Sequence, residues 1–375
     1  MKIEIHSPTI RRKEMDAVLT AMVEEKIGPG ERCRLLIQTA KDQLSFDYAL
    51  ALRSPAVALF LALKALAKPG SAVLLSALSP RYYLQVLSDL QLTPVYCDVS
   101  YDLPVISKES AENAVLKKPS DIEIGAVIVH HTLGYVPDTA SIAELGYPVI
   151  EDISRSYGFW LKPAVKKSDD DSEAKTKPDK KNEETSGSPF PVPNSPVYIL
   201  GLEERDMLTS GGGALLFSMN RKDSALLRAY AGIADEYCLA DINAALAVVQ
   251  FKEISRNIER RRTIAEVYHK ACLSLSSRTK HKRFIPLNIN DNEYCNYAFS
   301  LTLDTGLKDV IAYAKKKDIE TENSFENTIA QSGFDLGSAC PVSSSLILRT
   351  INFPIYPRLR SQDVERITRL IMTLP

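Results

Sequence analysis

Between residues 55 and 153 the chain alternates short, unbroken apolar runs with longer helical patterns, and this feature most narrows the fold available to it. AVLLSAL (72–78), TPVYCDV (93–99), GAVIVHHT (125–132) and YPVIEDI (147–153) read as strands. Residues 55–66 (PAVALFLALKAL), 81–90 and 139–145 read as helices. Strands that are apolar without alternation are buried on both faces, so the pattern predicts an α/β fold with a mainly parallel sheet between helices. In such sheets ligands sit at the carboxyl ends of the strands.

The pattern breaks at residues 166–188, a run of mixed charge whose only apolar residue is Ala174. Such a segment cannot bury enough surface to offset its ordering entropy, so residues 163–195 are predicted to form a disordered insertion. Two strand-like runs follow, 196–202 and 214–218, separated by a loop that ends in three glycines, Gly211 to Gly213. Asp241 then reads as the N-cap of a long amphipathic helix with Ile242, Leu246, Val249, Ile254 and Ile258 on one stripe. Arg260, Arg261 and Arg262 read as its solvated face or as the rim of an interface. The remainder, with strand patterns at 297–303 and 346–352 and helical ones at 307–316 and 361–374, reads as a smaller α+β domain. The predicted division is a large domain over 1–235, then the long helix and small domain over 236–375.

Composition narrows the function. Forty-six basic against 47 acidic residues leave a net charge of −1, which attracts neither nucleic acid nor an acidic membrane surface. The longest apolar run, 56–63, is far short of the roughly 20 residues a membrane span needs. The first residues meet charge too early for a signal-peptide core, and the six cysteines form no C-x-x-C pair. These features predict a cytoplasmic protein with reduced thiols and no metal site.

TPVYCDV, PVIEDISRSYG, LTSGGGALLF, the long run DINAALAVVQFKEISRNIERRRTIAEVY and FPIYPRLRSQDVERI, taken in this order, resemble the DegT/StrS family of sugar aminotransferases. These are fold-type I transferases that use pyridoxal phosphate (PLP). The resemblance implies a mostly parallel seven-stranded sheet flanked by helices and a smaller C-terminal domain. It also implies a dimer with shared active sites and a nucleotide-sugar substrate.

The same resemblance assigns the cofactor positions. Asp152 stands where the family places the carboxylate that faces the pyridine nitrogen; by itself it also fits an acidic helix cap. Arg155 stands at the family's glutamine, and arginine has only donors. Ser54, Pro55 and Ala56 replace the Ser-Gly-Thr phosphate cup, so an N–H and a hydroxyl are lost. Glu236 replaces an asparagine that serves the phosphate, where a carboxylate is repulsive. His131 matches a family histidine in an H-x-x-G pattern, and fits a satisfied histidine at a strand end equally well. Tyr82 and Tyr83 lie near the missing aromatic lid but read as core or interface tyrosines.

Aligning Gly212, Gly213 and Ala214 puts Arg205 at the Schiff-base lysine, and no lysine exists between Lys181 and Lys222. A guanidinium stays protonated and forms no imine. The resemblance with these losses implies a degenerate member that does not hold PLP covalently. Alternatives are an active PLP-dependent aminotransferase, and a nucleotide-sugar-binding or scaffold protein using the old cleft. A homodimer, or a heterodimer with an active paralogue, is implied. Arg205 is expected to turn toward Asp152 as its ion-pair partner.

Overall fold

The computed structural model describes residues 2–160, 197–275, 281–284, 294–304, 306–332, 336 and 338–375. The insertion predicted at 163–195 lies outside the described residues. Helices α1 (Arg12–Val23) and α2 (Glu31–Leu44) lead into β1 (Tyr48–Leu52), α3 (Pro55–Leu66), β2 (Ala72–Ser76), α4 (Tyr82–Asp89) and β3 (Thr93–Cys97). Then come α5 (Lys108–Lys117), β4 (Ile124–His130), α6 (Thr139–Ala143), β5 (Val149–Asp152), β6 (Val197–Gly201), β7 (Ala214–Ser218) and α7 (Arg221–Arg228). The strands form one seven-stranded sheet in the order β1-β7-β6-β5-β4-β2-β3. Strand β7 runs antiparallel to both of its neighbours, and the other paired strands run parallel.

Both faces of this sheet are covered, as unbroken apolar strands require. Val73, Leu75, Ile128 and Ile150 pack toward α3 and α4, while Leu74, Val127, Val129 and Val149 pack toward α5 and α6. Helix α3 starts where its sequence directs. The Ser54 side chain accepts from the Val57 N–H at 3.3 Å, and Pro55 occupies the first turn, where its missing N–H costs nothing.

The long helix α8 (Asp241–Leu275) links the two parts of the molecule. Ala244, Ala247, Phe251, Ile254 and Ile258 lie in the large core with α1 and α2. Ile264, Ala265, Tyr268 and Ala271 lie in a second core. That core is built on an antiparallel sheet of β8 (Phe299–Thr302), β10 (Thr350–Phe353) and β9 (Glu322–Asn323), with α9 (Leu307–Lys316) and α11 (Ser361–Met372). Helix α10 (Pro341–Ile347) sits under the large domain, its first turn capped by the Asp98 carboxylate through Val342 and Ser343. Among the described residues no helix is long and apolar enough to cross a membrane.

Three sequence expectations are corrected. Leu346 and Ile347 belong to α10, and the strand begins at Thr350; a short apolar run does not by itself separate helix from strand. Arg261 is not on a solvated face: it is 7% exposed. Asp241 does not cap its own helix. Its carboxylate accepts from the backbone N–H groups of Arg32 (3.1 Å) and Cys33 (2.9 Å) in the first turn of α2. The residue preceding α2 is Gly30, which has no side chain to cap with, and a Cβ there would meet Asp241 Oδ2 at 2.8 Å. The cap therefore comes from a different helix, and glycine makes room for it.

Asp241→Ala is expected to lower stability by about 1–2 kcal/mol, because two helix-end donors lose an ionised acceptor. Thermal unfolding of the variant checks this; an unchanged melting temperature would show that water replaces the cap without cost.

Candidate functional site

The carboxyl ends of β4, β5 and β6, with the start of α3, open onto a cleft of about 570 Å³. Asp152 closes its floor at the last residue of β5, 2% exposed. Register pairs it with His130 on β4. The Asp152 carboxylate is met by neutral donors. Tyr83 Oη donates to Oδ2, and the Ser154 backbone N–H (3.0 Å) and hydroxyl donate to Oδ1. His130 Nδ1 stands 3.5 Å from Oδ2, and neither ring nitrogen has a hydrogen-bond partner among the described residues. Burial alone would raise the Asp152 pKa. The neighbouring His130, Ser154 and Tyr83 outweigh it and hold the acid well below the ordinary carboxylate value. Burial lowers the His130 pKa against the opposing pull of Asp152, and burial together with the Asp152 charge pushes the Tyr83 pKa far up, so the tyrosine stays neutral.

A second carboxyl, Asp206, enters the cleft from the turn after β6. Its Oδ2 accepts from the Glu203 N–H at 2.9 Å. A Cβ on Gly201 would lie 2.3 Å from that oxygen and 2.9 Å from Ser154 Oγ, so only glycine at 201 lets the two side chains pack where they do. Burial, reinforced by the Asp152 charge, pushes the Asp206 pKa up to about 7. The cleft thus holds two carboxyls with pKa values driven far apart, the arrangement that separates a proton donor from a permanent anion.

Of the residues singled out in the sequence, Ser54, Ala56, Asp152, Arg155 and Arg205 line this cleft. His131 does not. Its ring nitrogens lie 2.9 Å from Glu151 Oε1 and 2.5 Å from Ser156 Oγ, with the side chain fully buried. Its neighbour His130 takes the cleft position, and strand parity explains the exchange: residues 126, 128 and 130 share one face of β4. Glu236 is exposed, and its backbone carbonyl accepts from Arg53 Nε, just before α3, at 2.7 Å. Tyr82 lines the cleft beside Tyr83, their rings edge to face at 4.9 Å.

Arg205 overturns the expected pairing with Asp152. Its side chain is 54% exposed and forms an ion pair with Glu322 of β9 at 2.8 Å. The physical reason is that Asp152 is already satisfied by uncharged donors, while Glu322 offers a partner in a wetter place, where desolvation costs less. Arg155 is the cation that stays near the floor. Its guanidinium lies over the Tyr297 ring, 5.4 Å from the centroid.

The lining does not fit an imine-bound PLP. Among the described residues no lysine contributes to it. Of the first three residues of α3, Pro55 has no N–H and the Val57 N–H is taken by Ser54. Both oxygens of Asp152 already accept hydrogen bonds. Among the described residues, no cluster of three or more His, Cys, Asp or Glu is placed to hold a metal ion.

Comparison with known proteins places this cleft in context. The sequence pattern of the DegT/DnrJ/EryC1/StrS aminotransferase family matches residues 8–163 and 216–372, leaving out the segment that carries Arg205. The dTDP-4-amino-4,6-dideoxy-D-glucose transaminase of Escherichia coli is 24% identical over 302 residues, covering 75% of this chain and 73% of that protein. Among solved structures, the aminotransferase TlmJ from Streptoalloteichus hindustanus superposes with a TM-score of 0.77 at 19% identity, over 99% of this chain and 98% of that one. NtdA from Bacillus subtilis with bound cofactor PMP superposes with a TM-score of 0.76 at 14% identity, over 96% of this chain and 82% of that one. These likenesses show the fold.

The raised Asp206 pKa has a signed consequence. A buried carboxyl that is harder to ionise than in the unfolded chain costs nothing below about pH 4. It costs progressively more as the pH rises to about 7, and the full amount above that. Asp206→Asn, whose amide oxygen still accepts from Glu203, should therefore match the wild type near pH 4 and unfold at higher temperature at pH 8. The gain is on the order of 1.4 kcal/mol for each pKa unit by which burial moved the group. Melting temperatures of both proteins across this range test it; equal curves would show that Asp206 is solvated.

Proposed function

The chain belongs to the DegT/DnrJ/EryC1/StrS aminotransferase family, and from that premise we propose that it is a non-transaminating member that binds a nucleotide-linked sugar in its cleft without a Schiff base. The observation that carries this reading is a cleft wall with no amine-bearing side chain among the described residues, in which Arg205 stands at the position assigned to the lysine and turns away to Glu322. A guanidinium has no free electron pair to attack an aldehyde at neutral pH. The cationic side chains Arg81, Arg155 and Arg205 on the wall suit an anionic ligand. That its relative from Escherichia coli is a dTDP-sugar transaminase supports a nucleotide-linked sugar as that ligand.

PLP added to the purified protein should give no visible aldimine band, and borohydride reduction should leave the mass unchanged. A mass increase matching one phosphopyridoxyl group would overturn the reading. Arg205→Lys alone should give no detectable transamination, because the Ser54–Ala56 turn still offers few phosphate donors and Tyr83 still occupies Asp152.

The proposal includes a dimer, as a homodimer or with an active relative. Met15, Leu19 and Met22 lie on one stripe of α1 and are each more than half exposed, an apolar face that suits a second chain. Light scattering at micromolar concentration should read twice the 41.6 kDa chain mass; a particle of 41.6 kDa would remove this part.

A further inference from the structure

Above the cleft, where the two domains meet, lies a smaller polar cavity of about 120 Å³. It shares Arg155, Arg205, Tyr297 and Asn327 with the cleft and adds Arg261 from α8 and His6 from the N-terminal segment. Three guanidinium groups therefore border one space. Arg205 has its carboxylate, Glu322, which also accepts from Asn352 Nδ2 at 3.4 Å. The other two form no ion pair among the described residues, although the Asp206 and Asp152 charges favour that of Arg155. Arg261, only 7% exposed, donates through Nη1 to the carbonyls of Asn296 (3.4 Å), Tyr297 (3.0 Å) and Ile355 (2.6 Å). Arg155 lies over Tyr297 and forms no ion pair with a described carboxylate. The acids on the wall are Glu322, already engaged, and Glu326, which is exposed.

Buried charges are ordinarily paired, because removing an ion from water without compensation is expensive. Arg261, held among the described residues by backbone carbonyls alone, and Arg155, whose charge Asp206 and Asp152 favour without an ion-pair contact, border a space the size of a small anion and are complementary to a group bearing negative oxygens. The planar fork of arginine offers such a group two parallel N–H donors. His6, with Nε2 2.9 Å from the Glu204 carbonyl, is kept below its ordinary pKa by burial and by Arg261 and Arg205, so the positive charge at the cavity is that of the arginines.

We propose that this interdomain cavity is an oxyanion subsite for one phosphoryl group of a ligand whose body lies in the adjoining cleft. The proposal rests on the ligand-binding reading above and names the part of the ligand that the arginines hold. In the family resemblance, positions 155 and 205 carry a glutamine and a lysine, so the pair of guanidiniums is this chain's own.

The test is calorimetric titration of the purified protein with inorganic phosphate, with malonate as the carboxylate arm, at low and high salt. Phosphate should bind saturably, raise the melting temperature and weaken with salt. Arg155→Gln should weaken it at least tenfold, and Arg155→Lys, which keeps the charge without the fork, by less. His6→Glu, near the chain terminus and touching the cavity but not the cleft, should also weaken it at least tenfold. Melting temperatures of the variants establish that they fold. No saturable phosphate binding, malonate binding tighter than phosphate, or an affinity unmoved in folded Arg155→Gln or His6→Glu would each overturn the proposal. The titration is independent of PLP. A borohydride-fixed adduct would defeat the non-transaminating reading alone, and a failed titration would defeat the subsite alone.

Discussion

The geometry of the whole molecule depends on one rod shared by two cores. Helix α8 runs 35 residues, about 50 Å at 1.5 Å per residue. Its apolar stripe is buried in the large domain as far as Ile258 and in the small domain from Ile264. A rigid helix committed to both cores sets their separation, so the space between the β-strand ends and the small sheet stays open as a cleft. Arg261 sits at the hand-over between the cores. By donating to the carbonyls of residues 296, 297 and 355 it ties two chain segments of the small domain to the helix at that point. A charged side chain is used there because those carbonyls have no strand partner, and a guanidinium offers several donors from one group.

Within the cleft the governing interaction is the solvation of Asp152 by neutral groups. Tyr83 and Ser154 supply the hydrogen bonds that a cation would otherwise provide. Among the described residues no arginine is in ion-pair contact with Asp152, although its charge favours that of the nearby Arg155. Arg205 joins the small domain through Glu322, and Arg155 turns onto Tyr297. The positive charge around the interdomain cavity is thus a consequence of how the acid below it is satisfied.

Much of the fold was legible in the chain. Strands β2, β4, β6 and β7 are largely apolar runs, and α3 begins at a Ser-Pro pair that specifies a helix start. The harder elements have physical explanations. YALAL of β1 has no turn residues or β-branched side chains to set it apart from a helix, and it becomes a strand by pairing with β7. Leu346 and Ile347 look like the strand that follows them, but their burial is completed on the face of α10. Two adjacent histidines end β4, and sequence comparison selected His131. Only the pleat, counted from Ile128, puts His130 over Asp152.

What the sequence by itself determined is local and chemical: a sheet buried on both faces, an acid at the end of β5, a loop before β7 that carries an arginine and no lysine, and a Ser-Pro start to α3. These follow from residue type and short-range pattern. The tertiary structure alone decided which partner each charge found. Asp241 caps a helix more than 200 residues earlier in the chain, Arg205 reaches 117 residues forward to Glu322, and Arg261 turns from an outer face into the junction of two cores. The reason is that ion pairing and burial are set by distance and desolvation in space. A guanidinium or carboxylate carries no mark of which of many possible partners the fold will bring within reach.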